Sequence, residues 1–108
     1  MVLLITTINA KPDKAQELEQ TLVLLGQSAR KMPGCLSYHV YRDVEQADSL
    51  CLIEAWATQA DVDAYRQTED WTILRGATHL LGVTGQAQFC TVTETVDLDA
   101  PLAPPNGL

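Results

Sequence analysis

Two runs of apolar, aromatic and β-branched residues dominate the middle of the chain. The first extends from Pro33 to Arg42, the second from Leu50 to Trp56, and the polar segment 43–49 separates them. Short β-prone runs on either side of a polar turn are typical of a β-hairpin. We therefore predict a hairpin here, and we expect it to lie in the middle of a sheet.

The same pattern predicts which side chains of the hairpin share a face. Folding about Gln46 pairs residues whose numbers sum to about 92, and paired residues lie on the same face. One face then carries Leu36, Tyr38, Val40, Leu52, Glu54 and Trp56, and the other carries Ser37, His39, Tyr41, Cys51, Ile53 and Ala55. Both faces are partly apolar, which indicates that helices cover one face and a different partner covers the other.

A β-prone strand and an amphipathic helix precede the hairpin. The strand runs from Val2 to Asn9, and Pro12 with Asp13 suits the first positions of the helix. Apolar residues then recur every three or four positions, at Ala15, Leu18, Leu22, Leu25, Ala29 and Met32. Gly26 within this helix indicates close packing, and Pro33-Gly34 ends it.

Two short helices, or one kinked helix, and a fourth strand follow the hairpin. Thr58 and Thr68 are both suited to cap the start of a helix. The later helix has an inner apolar stripe at Trp71, Leu74, Ala77 and Leu81. We expect it to end at Gly82, and the β-prone run from Gln86 to Val96 to form the fourth strand.

The resulting order β-α-β-β-α-β predicts an α+β, ferredoxin-like split fold with an antiparallel sheet and helices on one face. The domain should span residues 1–96, followed by an extended, Pro-rich tail at 97–108. The uncovered sheet face is too apolar for water. It therefore predicts a homodimer through the sheet face, which would form an α/β barrel.

Charge and composition limit the function classes. The 108 residues include 7 basic and 14 acidic side chains, a net charge of −7, which disfavours nucleic acid and anionic membranes as partners. No run resembles a signal peptide or a transmembrane helix. Cys35, Cys51 and Cys90 have no metal-binding spacing, so we interpret them as reduced thiols of a cytoplasmic protein.

Several segments resemble the antibiotic biosynthesis monooxygenase family across residues 1–96. They are Met32-Pro33-Gly34-Cys35, the run 52–58 and the helix from Asp61 to Tyr65. The resemblance implies a small dimeric α/β-barrel protein and cofactor-independent oxygenation of quinol-like or polyaromatic substrates. It also includes haem-degrading relatives and many members with no known activity.

The sequence departs from the family at its histidines. Many members have a His on the first helix after the hairpin and a Ser-x-His-Phe-like segment beyond it, where this chain has Tyr65 and the segment 68–71. Haem-degrading relatives have Asn, Trp and His where Thr6, Tyr65 and Arg75 stand here. His79, four residues beyond Arg75, is the alternative haem ligand, and haem degradation stays an alternative function.

A cofactor-independent oxygenase needs an aromatic-lined cavity and a group that accepts a proton from a phenolic or hydroquinone substrate. The candidates for the wall are Trp56, Trp71, Tyr65, Tyr38 and Phe89, although each of them taken alone is better explained as an ordinary core residue. His39 and His79 are candidate proton acceptors because histidine titrates near neutral pH. Glu54 joins them if burial raises its pKa, although a structural ion pair is its alternative role.

We predict His39, His79 and Arg75 as catalytic residues. The predicted substrate-binding residues are Tyr65, Trp71, Trp56, Tyr38 and Glu54. The sequence offers no phosphate loop, metal cluster or nucleophile triad, so we predict no cofactor and no metal. The leading hypothesis is cofactor-independent oxidation of a quinol or other aromatic small molecule, and the alternative is a non-catalytic small-molecule-binding or dimerisation domain.

Overall fold

The sheet and the helices follow the predicted order in the computed structural model, which describes residues 1–98. The elements are β1 (Val2–Ala10), α1 (Ala15–Ala29), β2 (Cys35–Arg42), β3 (Ser49–Trp56), α2 (Gln59–Tyr65), α3 (Glu69–Leu81) and β4 (Gly82–Thr91). The four strands are antiparallel in the order β2-β3-β1-β4. Since β3 lies between β1 and β2, the fold is the predicted ferredoxin-like split arrangement.

The hairpin register is confirmed, but its place in the sheet is not as expected. Tyr38 pairs with Glu54 and Val40 with Leu52, as the pattern predicts. The expectation that the whole hairpin lies in the middle is wrong, because β1 pairs with both β3 and β4 and leaves β2 at an edge. A bulge after Cys35 also turns Leu36 outwards, where it is 58% exposed.

The hydrophobic core lies between one sheet face and the helices. Alternate residues of β1 and β3 are buried there, and α1 contributes its predicted stripe, apart from Met32. Gly26 of α1 packs directly against the Tyr38 ring, which confirms the predicted close approach. Within residues 1–98, no helix covers the opposite sheet face.

Three predicted boundaries need correction. The helix α1 begins at Ala15, three residues after Pro12, because Asp13 adopts a φ of 65° that interrupts a helix. It ends at Ala29, and the Arg30 side chain turns to the carbonyl of Tyr38. The strand β4 spans 82–91 rather than 86–96, because its partner β1 begins at Val2 and the ladder ends there.

The predicted tail begins where the described structure ends. Asp97 and Leu98 are exposed and lie outside any helix or strand, and the rest of the predicted tail lies outside the described residues. No helix in residues 1–98 is long and apolar enough to cross a membrane. The same part of the chain has no group of three His, Cys, Asp or Glu side chains that could hold a metal ion.

Candidate functional site

An open groove of about 700 Å³ lies between α3 and β4. One side of α3 forms its wall, with Trp71, Leu74, Arg75 and Thr78 at helical spacing. The floor is formed by Thr6 and by Ala87, its partner in the ladder, together with nearby Gly85. Because these floor side chains are small, α3 and the sheet leave a space between them.

The start of α3 is fixed by a capping threonine, which sets the position of Trp71. The Thr68 hydroxyl accepts a hydrogen bond from the backbone N–H of Trp71 at 3.2 Å. The same hydroxyl donates to the carbonyl oxygen of Tyr65 at 2.6 Å. The cap predicted from the sequence is therefore confirmed, and it joins the end of α2 to the start of the groove wall.

The groove is basic although the chain as a whole is acidic. Lys11, Arg75 and His79 line it, and none of the described residues around it is a carboxylate. The whole chain carries a net charge of −7. Opposite charge near a weak acid favours its ionised form, so this lining suits a ligand with an anionic or ionisable oxygen.

A stack of three aromatic rings leads from the groove wall into the core. The Trp71 ring meets the Tyr65 ring edge to face, with centroids 5.4 Å apart. Tyr65 stacks on Trp56 with centroids 4.6 Å apart. The guanidinium of Arg66 lies 5.7 Å from the centroid of the Trp71 ring and 5.2 Å from that of Phe89, so it bridges the two rings by cation–π contacts.

Glu54 lies at the inner end of this aromatic stack. Its side chain is completely buried, and within residues 1–98 neither carboxyl oxygen has a hydrogen bond of acceptable geometry. Burial raises the pKa of Glu54 to about 7, although the Tyr65 hydroxyl and the Trp56 indole approach the carboxyl and partly lower it. No salt bridge satisfies Glu54 in the described structure, so the expected ion pair is not observed.

Tyr38 and Tyr65 both belong to the core rather than to the open groove. Burial raises the pKa of each phenol well above its ordinary value, and the nearby Glu54 carboxylate adds to the effect. The Tyr38 hydroxyl donates to the carbonyl oxygen of Leu22 at 2.8 Å. Tyr38 therefore joins α1 to the sheet, and its buried, hydrogen-bonded hydroxyl is not available to a ligand in the groove.

The structure brings most, but not all, of the predicted site residues together. Trp71, Arg75 and His79 line the groove. Tyr65, Trp56 and Glu54 follow behind Trp71. His39 is exposed on the other sheet face, where it pairs with Ile53, because successive residues of a strand alternate between faces. The groove therefore excludes His39.

Sequence reasoning did not identify Lys11 and Arg66. The backbone N–H of Lys11 donates to the carbonyl oxygen of Leu81 at 2.8 Å, which brings the residue after β1 to the end of α3. Arg66 follows α2 and reaches rings on two different elements. Neither residue belongs to a periodic pattern or a motif, so only the tertiary contacts reveal them.

Comparisons with known proteins agree with this fold. One match is a crystal structure described as an antibiotic biosynthesis monooxygenase from Deinococcus radiodurans. It has a TM-score of 0.86 and 24% sequence identity, and the match covers 93% of this chain and 100% of the other chain. A crystal structure from Pseudomonas aeruginosa matches with a TM-score of 0.77 and 26% identity, over 86% and 94% of the two chains.

Two further comparisons use the amino-acid sequence rather than the structure. An uncharacterized protein of Synechocystis is 38% identical over 64 residues, which is 56% of this chain and 42% of the relative. The match therefore spans less than half of that relative's length. The family model for antibiotic biosynthesis monooxygenases matches residues 1–74 of the 108. Since this match covers most of the chain, the protein belongs to the antibiotic biosynthesis monooxygenase family.

Proposed function

We propose that this protein binds a hydroxylated aromatic small molecule, such as a quinol, in the groove between α3 and β4 and oxidises it with dioxygen. The observation that carries the proposal is that the groove combines the Trp71 ring with Lys11, Arg75 and His79 in a chain of net negative charge. Membership of the antibiotic biosynthesis monooxygenase family supports the reaction class.

Each part of the lining has a role in this proposal. Trp71 and Leu74 provide apolar contact for an aromatic ring. Arg75 and Lys11 favour the ionised form of a phenolic hydroxyl, and the electron-rich anion is the form that gives electrons to dioxygen. His79 is the candidate proton acceptor, because it lines the groove and a neutral imidazole nitrogen can accept a proton.

A non-catalytic binding domain is the second candidate, and the exposure of the groove favours it. Arg75 and His79 are both exposed to solvent. Enzymes that generate reactive anions commonly exclude water from the site, which strengthens electrostatic interactions there. An open groove fits simple binding of an aromatic ligand at least as well as chemistry.

Oxygen uptake with a defined hydroquinone separates the two functions. The purified protein is mixed with 1,4-naphthohydroquinone, and oxygen consumption is recorded above the rate of autoxidation without protein. Binding of 1-naphthol, which is stable in air, is measured separately by thermal shift. We expect both uptake and binding for the wild type.

Matched variants assign the effect to the groove. His79→Gln should lower the uptake rate by about a hundredfold, the scale of general base catalysis, whereas His39→Gln on the other face should not. Arg75→Ala should weaken naphthol binding, whereas Arg42→Ala, an exposed arginine paired with Glu19, should not. Binding without protein-dependent uptake would favour the binding domain, and absence of both would overturn the proposal.

We also propose that the protein is a homodimer through its uncovered sheet face. Leu3, Ile5 and Ile53 lie there and stay half-exposed in the single chain. Neighbouring strands present them side by side, since Ile5 pairs with Ile53. An exposed cluster of apolar side chains of this kind commonly marks a protein interface.

A further inference from the structure

We propose that the groove has a second, buried part behind Trp71, in which Glu54 and Trp56 bind the hydroxyl group of the aromatic ligand. The inference uses the ligand class of the proposed function but does not depend on oxidation. The recognising atoms are the Glu54 carboxyl oxygens and the Trp56 indole nitrogen, which lie in the core behind the rings of Trp71 and Tyr65.

The first argument is the set of unsatisfied polar atoms at this position. Neither the carboxyl oxygens of Glu54 nor the indole nitrogen of Trp56 has a hydrogen bond of acceptable geometry in the described structure, although the Trp56 indole and the Tyr65 hydroxyl approach the carboxyl. Buried polar groups without partners are rare, because each costs the free energy of its lost hydration. A ligand hydroxyl placed here would therefore meet two acceptors and one donor that lack a well-formed hydrogen bond.

The second argument is the chemistry of that guest. A hydroxyl group donates one hydrogen bond and accepts another. Its hydrogen can be donated to a Glu54 oxygen, while its oxygen accepts the N–H of Trp56. A methyl ether of the same ring has no hydrogen to donate, so it leaves Glu54 unsatisfied and should bind less well.

The third argument is the connection to the groove. Trp71 forms part of the groove wall and touches Tyr65, and Tyr65 stacks on Trp56. Trp71 is only half-buried, and the Arg66 guanidinium lies over its ring. In the proposed binding mode the Trp71 side chain rotates, which would open a path from the groove to the aromatic faces beside Glu54.

The surroundings of Glu54 make its charge sensitive to pH near neutrality. Tyr38 faces it from β2, Tyr65 from α2 and the apolar Leu4 from β1, and the Cys35 thiol is near enough to be affected by its charge. No basic side chain in residues 1–98 offsets its burial. With a pKa of about 7, Glu54 is ionised above neutral pH, and the ionised form is the stronger acceptor.

The test compares two ligands that differ in the hydroxyl alone. Binding of 1-naphthol and of 1-methoxynaphthalene to the full-length protein is measured by calorimetry at pH 8 and pH 6. We expect the wild type to prefer 1-naphthol about tenfold at pH 8, as for a hydrogen bond to a charged group, and less at pH 6. Comparison of the two pH values needs no variant, so it holds even if a substitution prevents folding.

Variants then assign the preference to Glu54. Glu54→Gln keeps the shape of the side chain but not its charge, and should abolish the preference at pH 8. Glu45→Gln, an exposed residue of the hairpin turn, is the matched control and should retain it. Trp71→Ala should increase the rate of naphthol binding in stopped-flow fluorescence, because the path is then open.

The outcomes separate this inference from the proposed oxidation. Equal affinity of the wild type for the two ligands, a preference that survives in Glu54→Gln, or no naphthol binding would overturn the inference. A Glu54-dependent preference without oxygen uptake supports the buried site and counts against the oxidation. Oxygen uptake that depends on His79 but not on Glu54, together with equal binding of the two ligands, supports the oxidation and counts against the buried site.

Discussion

The Tyr38 ring occupies the space beside Gly26 that a side chain there would need: a Cβ atom on Gly26 would lie 2.5 Å from Cε1 and 2.6 Å from Cδ1 of Tyr38. The Tyr38 hydroxyl donates to Leu22 one helical turn earlier. Arg30 donates to the Tyr38 carbonyl oxygen at 2.6 Å. These contacts fasten α1 to the edge strand β2, next to the strand that carries Glu54.

Gly26→Ala should therefore destabilise the protein, although alanine is the better helix former. Overpacking against the Tyr38 ring costs about 1 to 3 kcal/mol and outweighs a gain of at most about 1 kcal/mol in helix propensity. Urea unfolding measures the difference. Gly76→Ala on α3 is the control, since a Cβ there has no heavy atom within 4 Å and should stabilise the protein slightly. Stabilisation by both substitutions would contradict the packing argument.

The stability contribution of Glu54 should depend on pH. Its pKa rises from 4.5 to about 7 on folding, so the folded state binds a proton more tightly than the unfolded state between these values. The free energy of unfolding then falls as pH rises through this window, by about 3 kcal/mol at most for this group. Above pH 7 the buried charge destabilises the fold fully, and below pH 4.5 the effect is absent.

Glu54→Gln isolates this effect. We expect the variant to gain stability relative to the wild type as the pH rises from 5 to 8, measured by urea unfolding at each pH. Glu45→Gln in the exposed turn should keep the pH dependence of the wild type. A constant difference between Glu54→Gln and wild type over this range would show that the pKa of Glu54 is not raised.

Thr68→Ala should weaken α3 and loosen the groove wall. The substitution removes the hydroxyl that accepts from the Trp71 N–H and donates to the Tyr65 carbonyl oxygen. The expected loss is about 1 kcal/mol of stability, with a change in tryptophan fluorescence as Trp71 becomes less ordered. Thr68→Ser retains the hydroxyl and should behave nearly as the wild type. A loss of the same size in Thr68→Ser would point to the methyl group instead.

The oligomeric state tests the proposed use of the uncovered sheet face. Ile53→Lys places a charge at the centre of that face, and we expect it to convert a dimer into a monomer, as measured by light scattering after size exclusion. Val44→Lys is the control: Val44 is also apolar, but it is 99% exposed in the hairpin turn, away from the sheet face. A wild type that is already monomeric, or an Ile53→Lys variant that stays dimeric, would refute this interface.

Much of the fold follows from local patterns. The stripe of α1, the caps at Thr58 and Thr68 and the hairpin register depend on periods of three to four or two residues, which neighbouring positions encode. Boundaries were less predictable. The strand β4 ends at Thr91 because Thr91 pairs with Val2, the first residue of β1, and no sequence feature near residue 91 indicates this end.

The sequence by itself determined the family, the ferredoxin-like fold, the alternation that buries Glu54 and Tyr38, and the candidate residues on α3, because these depend on local pattern and residue type. The same alternation separated His39 from Glu54, but only the tertiary structure decided that the helices and the groove lie on the Glu54 face. The tertiary structure alone brought Lys11 and Arg66 to the site and, within residues 1–98, left the Glu54 carboxyl without a hydrogen bond of acceptable geometry. These relationships depend on how separate elements cross in space, and no spacing along the chain encodes that.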